Sequence, residues 1–272
     1  MTQKKLSKIA IHTITNRPWT TEQCIDEYSK AGIGGITFWR YSFEDRDPKK
    51  VGDHARESGL NVVSVARGGF FAAESKEDRE KAIDDNKRAI DETHSVGAPS
   101  LVLVCGSNKH QSLNTSRNQI QDGIAECLDH AKDAGVILAI EPLHPMYASE
   151  RSAVNSMAQA NAICENLENH PNVGIALDVY HTWWDDKLKE EIARSFNNGN
   201  LSSYHICDWL SPMEDMLNDR GLMGEGSIDV DQISKWVIDS GFTGFHEVEI
   251  FSERWWKTDQ HDYLKKIISY FD

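Results

Sequence analysis

Three carboxylates and one imidazole stand at the ends of four successive apolar runs: Glu141, Asp178, His205 and Glu249. Gathering such a set away from water is costly unless something positive sits among it. Lys and Arg are scarce immediately beside these positions, so a divalent cation is the simplest counter-charge. Oxygen ligands with one nitrogen suit Mn2+ or Mg2+ better than a thiolate-rich Zn2+ site. Mn2+ is the first choice, with Mg2+, Co2+ and Zn2+ as alternatives. An ion on a substrate carbonyl and its neighbouring hydroxyl acidifies the adjacent C–H and stabilises the enediolate that follows. Glu141 and Glu249 come from different strands, so one can remove a proton and the other return it. Return from the opposite face is epimerisation, return at the next carbon is isomerisation, and loss of a β-hydroxyl is dehydration. The residues do not choose among the three.

Other side chains fall near the same level. Glu247 shares strand parity with Glu249 but sits one layer deeper, which suits a structural or supporting role. His144 is a second acid/base candidate if Glu141 is committed to metal. His12 and Arg67 are candidates for hydroxyl or carboxylate contacts, and Asp208 for orienting His205 or bonding a sugar hydroxyl. Seven of the eight tryptophans, Trp39 and Trp183 among them, follow strand ends, and only Trp236 falls in a helical pattern. Aromatic faces pack on the C–H faces of a sugar and shut out water. Loop packing or a subunit interface would also use them, and a homo-oligomer stays open.

The elements that must position these residues alternate. Short runs rich in Ile, Val, Leu and aromatics lie at 8–14, 35–39, 61–66, 100–106, 136–141, 173–178, 203–208 and 245–250. They are apolar through the middle, as strands covered on both faces should be. Amphipathic segments at 21–31, 48–58, 76–95, 115–134, 156–169, 186–198, 229–240 and 260–271 predict helices, several stopped by Gly. A helix after each strand demands parallel pairing, and a count of eight predicts a closed (β/α)8 barrel. An open doubly wound sheet competes, but the first strand–helix turn has no G-x-G-x-x-G. No linker or composition break divides residues 1–272, so one α/β barrel domain is expected. In such barrels chemistry gathers at the C-terminal strand ends, where the acids fall.

Composition limits the partners. With 43 acidic and 29 basic side chains the formal charge is −14, which disfavours nucleic acid. No apolar run approaches the ~20 residues that span a bilayer, and the polar start lacks a secretory h-region. Five scattered cysteines without C-x-x-C predict free thiols in a reducing cytoplasm. A small carbohydrate is the expected partner, and the absence of a Gly-rich phosphate cradle weakens a sugar phosphate.

Five motifs carry a resemblance over nearly the whole chain: A-I-E-P-L-H-P at 139–145, L-D-V-Y-H at 177–181, H-I-C-D at 205–208, G-E-G-S-I-D at 224–229 and G-F-T-G-F-H-E-V-E at 241–249. Together they resemble the xylose-isomerase-like superfamily of sugar (phosphate) isomerases and epimerases, which includes ketose 3-epimerases and inosose dehydratase. The resemblance implies a metal-dependent sugar isomerase or epimerase, with a lyase or dehydratase on an oxidised sugar or inosose as the alternative. It places the last ligand at Glu249 and gives His181 a hydrogen bond to substrate oxygens. Ketose 3-epimerases carry an Arg a few residues after the strand-seven His. Here Ser211 and Pro212 stand there, and Arg220 lies further along. Endonuclease IV shares the barrel but uses further His ligands where Arg67 and Cys105 stand, which disfavours a nuclease. Four ligand-type residues argue against a non-catalytic sugar-binding subunit.

Overall fold

The computed structural model describes residues 6–272. Its strands are β1 (Ile9–His12), β2 (Gly35–Trp39), β3 (Asn61–Gly69), β4 (Ser100–Val104), β5 (Ile137–Ile140), β6 (Val173–Asp178), β7 (Leu201–Ile206) and β8 (His246–Val248). All pair in parallel, and β8 closes onto β1 to complete an eight-stranded barrel. The main helices are α1 (Thr21–Lys30), α2 (Pro48–Glu57), α3 (Lys76–Val96), α4 (Leu113–Ala134), α5 (Met157–Asn166), α6 (Leu188–Asn197), α7 (Val230–Ser240) and α8 (Gln260–Ser269). Together they give the predicted (β/α)8 barrel. None of the helices among the described residues is long and apolar enough to cross a membrane.

Local chemistry explains the boundaries. Thr20 and Gln23 exchange hydrogen bonds in a capping box that starts α1, and Ser75, Ser112 and Ser156 cap α3, α4 and α5. Outward strand residues such as Ile11, Phe38, Leu101, Leu138, Ile175 and Tyr204 pack under the helices in one core. The lumen is narrow, and small side chains fill it: Ala66, Val102, Ala139 and Ala176 meet beneath Trp39.

Four strands, β1, β4, β5 and β8, are shorter than their apolar runs because the last residues leave the ladder to form the rim. The third is longer than predicted and continues through Arg67 to Gly69. Gly69 makes this possible: its φ is +110°, and a Cβ there would lie 2.0 Å from the Val104 carbonyl oxygen. Two short helices and a two-stranded ribbon (Asp208–Trp209 with Arg220–Gly221) were not legible as elements; all follow strands β6 to β8 at the rim. All five cysteines are free and buried.

Candidate metal centre

Strand register brings the polar residues to one end of the lumen. Asp178 pairs across to His205, and His205 to Glu247. Glu141 and Glu249 come just past β5 and β8, their N–H groups bonded to the Leu103 and Ile206 carbonyls at 3.1 and 3.2 Å. One donor atom each from Glu141, Asp178, His205 and Glu249 lies within 4.8 Å of the others, and all four residues are buried.

The set fits a cation. Glu141 Oε1 and His205 Nδ1 face each other at 3.2 Å, and neither has a hydrogen-bond partner. Buried polar atoms left so are rare unless something else satisfies them. Burial opposes a charge on His205, yet Glu247, Glu141 and Glu249 hold its pKa well above the usual imidazole range. Three carboxylates thus draw positive charge toward the point where they converge.

The expectation that no basic partner accompanies these acids is corrected by Arg220. Its Nη1 lies 2.8 Å from Asp178 Oδ2 and 3.0 Å from Glu249 Oε2, and Nη2 lies 3.2 Å from His181 Nε2. The guanidinium is held between the rings of Tyr180 and Phe251, 4.4 and 5.0 Å from their centroids. One guanidinium offsets part of the charge of three acids. Burial pushes Asp178 up to about 7 against Arg220's opposing effect. Burial acts the same way on Glu249, but His12, His205 and Arg220 together hold it well below the carboxylate range. Sequence signalled Arg220 only as a distant substitute, because the 210–219 loop returns it to the site.

A deeper polar layer supports the first. Glu247 Oε2 accepts from Thr37 Oγ1 at 2.6 Å and Ser64 Oγ at 2.9 Å, and lies 3.3 Å from His12 Nε2. His12 bridges the layers, its Nδ1 3.0 Å from Glu249 Oε1. It is fully buried, touches both glutamates and is not among the residues that line the inner cavity.

Other predicted residues separate. His181 lines the cavity; its Nε2 accepts from Arg220, which leaves Nδ1–H as a buried donor without a protein partner. Burial and Arg220 hold it well below the usual range, so it is neutral. Trp39 also lines the cavity. Asp208 does not orient His205: its carboxylate accepts from the N–H groups of Trp209, Gly224, Gly226 and Ile228 at 2.8–2.9 Å. That role explains the G-E-G stretch, since a Cβ on Gly226 would stand 2.1 Å from the Trp209 carbonyl oxygen. Trp183 packs against Trp209, which in turn meets Tyr180, and it does not line the inner cavity. His144 also lies outside the cavity wall, its ring against Trp209 and its Nδ1 accepting from Met146 N–H at 3.2 Å. Arg67 stands outside the inner cavity, over the Phe70 ring.

Sequence reasoning missed the roof. Leu217, from the 210–219 loop, covers the cavity beside Tyr147, Arg151 and Phe251. The loop is fastened where the Tyr147 and Tyr180 hydroxyls donate to the Met216 carbonyl. The space enclosed is about 20 Å³, room for about one water.

The geometry agrees with what the chain is similar to. A crystal structure of protein SMc04130 from Sinorhizobium meliloti is 43% identical, with a TM-score of 0.92 and 96% of each chain covered. L-ribulose-5-phosphate 3-epimerase UlaE of Salmonella typhi is 25% identical over 80% of this chain and 79% of its own. The IolI protein, crystallised with a zinc atom, shares the fold at 20% identity and a TM-score of 0.83, over 97% of this chain and 99% of that one. Residues 25–271 match the model of one family, and the chain belongs to it: the xylose isomerase-like TIM barrel family.

Proposed function

We propose that the protein is a divalent-metal-dependent sugar epimerase or isomerase, with Glu141, Asp178, His205 and Glu249 as the metal ligands. The observation that carries this is the convergence of three buried carboxylates on an imidazole, with Glu141 Oε1 and His205 Nδ1 3.2 Å apart and neither in a hydrogen bond. A bound divalent cation would polarise a sugar carbonyl and acidify the C–H beside it. Mn2+ is the ion we favour from the oxygen-rich donor set, with Zn2+, Mg2+ and Co2+ as alternatives.

The chain's own residues supply the rest. Glu141 and Glu249 leave β5 and β8, on different sides of the lumen, so their carboxylates can take and return a proton from two directions. His12 fixes Glu249 through Nδ1, and Glu247 fixes His12 in turn. Neutral His181 offers Nδ1–H to a substrate oxygen, its tautomer set by Arg220. Leu217 and the tyrosine-fastened loop exclude water, and a sugar enters only when that loop lifts. The similarity to a ribulose-5-phosphate epimerase supports carbohydrate as the substrate class. His144 is held between Trp184 and Trp209, and Glu141 and Glu249 stand closer to the point where a metal would bind.

The test is metal titration of the chelator-stripped chain and its Glu249→Gln variant, with D2O exchange on ketoses. The expected result is one ion per chain, bound at least tenfold more weakly by the variant, with deuterium entering beside the carbonyl only in loaded wild type. A variant that binds metal and exchanges normally would remove Glu249 from the site.

A further inference from the structure

Two arginines at the mouth of the site have no acid. Among the described residues, the guanidinium groups of Arg67 and Arg151 have no hydrogen-bond or ion-pair partner. Each lies over a ring instead, Arg67 4.3 Å from the Phe70 centroid and Arg151 5.5 Å from that of Tyr147. Neighbouring Arg40 shows ordinary pairing, with Nε 2.6 Å from Glu92 and Nη1 2.9 Å from Asp85. Asp85 and Glu92 are therefore already taken.

The two free cations belong to connected walls. Arg151 lines the inner cavity with Glu141 and Trp39. Arg67 lines an outer recess of about 280 Å³, whose wall also includes Trp39. Burial and then the charge of Arg151 push Arg67 down to about 10, while Glu141 acts the other way, which places all three within electrostatic reach.

The backbone under Arg67 is unusual. Phe70 has φ +56°, a left-handed conformation uncommon for an aromatic residue. Its N–H bonds to the Val104 carbonyl at 2.9 Å, and Gly106 packs so closely that a Cβ would stand 2.8 Å from the Phe70 Cα. That arrangement keeps a ring 41% exposed beneath the guanidinium. Backbone outliers of this kind persist where the surroundings over-determine them, and they cluster at ligand clamps.

We propose that Arg67 and Arg151 form a subsite for an anionic substituent of the substrate, a carboxylate or a phosphate. The inference rests on the proposed sugar chemistry and adds the class of substrate, an acidic sugar. Planar guanidinium forks match both anions, and water exclusion strengthens the attraction. At long range a chain of net charge −14 repels such a molecule. The two unpaired cations reverse that sign where the substrate docks.

Three six-carbon ketoses of one skeleton test it: D-fructose, D-fructuronate and D-fructose 6-phosphate, bound to the metal-loaded full chain and followed by calorimetry. At least one anion should bind tenfold or more tightly than fructose, and the tighter of the two identifies carboxylate or phosphate. Arg67→Gln and Arg151→Gln should each bring that ratio toward one, with Arg67→Lys retaining part of it. Equal binding of fructose, or a preference that survives both Gln variants, overturns the subsite. D2O exchange on the same ketoses is read separately. Exchange without anion preference sinks the subsite and leaves the sugar chemistry standing, and anion preference without exchange does the reverse.

Discussion

Replacing Arg220 with Met isolates the electrostatics of the site, because Met keeps the packing between Tyr180 and Phe251 and removes only the charge and its hydrogen bonds. Asp178 and Glu249 then lose contacts of 2.8 and 3.0 Å in a region where both are buried. Removing one partner of a buried pair costs about 3–5 kcal/mol. For a chain of this size, at about 2 °C per kcal/mol, that is roughly 6–10 °C in Tm. A cation at the converging oxygens meets the same demand, and at about a thousandfold excess over Kd it contributes about 4 kcal/mol. The metal-free variant should therefore melt well below metal-free wild type, and Mn2+ should raise its Tm more than that of wild type, where ion and guanidinium share two carboxylates. Calorimetric melting of both proteins, stripped and loaded, makes the comparison. A metal-free variant within about 2 °C of wild type, or a smaller metal response in the variant, refutes the reasoning, since about 2 °C corresponds to only ~1 kcal/mol.

Asp208→Asn leaves one good acceptor oxygen where two receive four N–H groups. Hydrogen bonds to a charged group contribute about 1.5–3 kcal/mol each, so a loss of about 3 kcal/mol and faster proteolysis within 209–228 are expected; unchanged digestion argues against the brace. The double change Tyr147→Phe and Tyr180→Phe removes both bonds to the Met216 carbonyl. At about 1 kcal/mol each, amide exchange in 211–219 should speed up by roughly thirtyfold; protection equal to wild type would show that other contacts hold the roof. His246, whose ring meets Tyr204 edge-on at 5.1 Å, is held below its ordinary value of 6.5 by burial. The unfolded chain then takes up a proton that the folded chain resists, so its contribution is lost as pH falls through about 6.5 and below. His246→Phe should lose less Tm than wild type between pH 8 and pH 5, and parallel losses would contradict that sign.

The barrel was legible because its signals are local. Apolar runs of strand length, Ser and Thr caps, and Gly at helix ends each mark a boundary within a few residues. Glu141, Asp178, His205 and Glu249 were legible for the same reason, since each lies within or at the end of a run and strand parity turns them to one lumen. Glu247 followed from parity too, but its hydroxyl partners Thr37 and Ser64 come from strands far away in sequence. Arg220 was hidden because it sits 42 residues from Asp178 and reaches it through a loop and a two-residue ribbon. Asp208 misled for a related reason: proximity to His205 along the chain suggested a side-chain partner, whereas the peptide N–H groups of the returning loop claim its oxygens. Tryptophan position told which end of the barrel each ring occupies but not whether it faces cavity or core. Trp39 does the first, while Trp255 stacks on Tyr263 within the core cluster.

The central claim is that these side chains hold a divalent ion so that a carboxylate can move a proton beside a sugar carbonyl. Its most direct test follows solvent deuterium by NMR into a ketose or ketose acid incubated with the stripped chain, before and after Mn2+ is added. Incorporation at the carbon next to the carbonyl should appear with metal and stop with chelator. Exchange that proceeds equally in the stripped protein, or none with any ketose under loading, would contradict it.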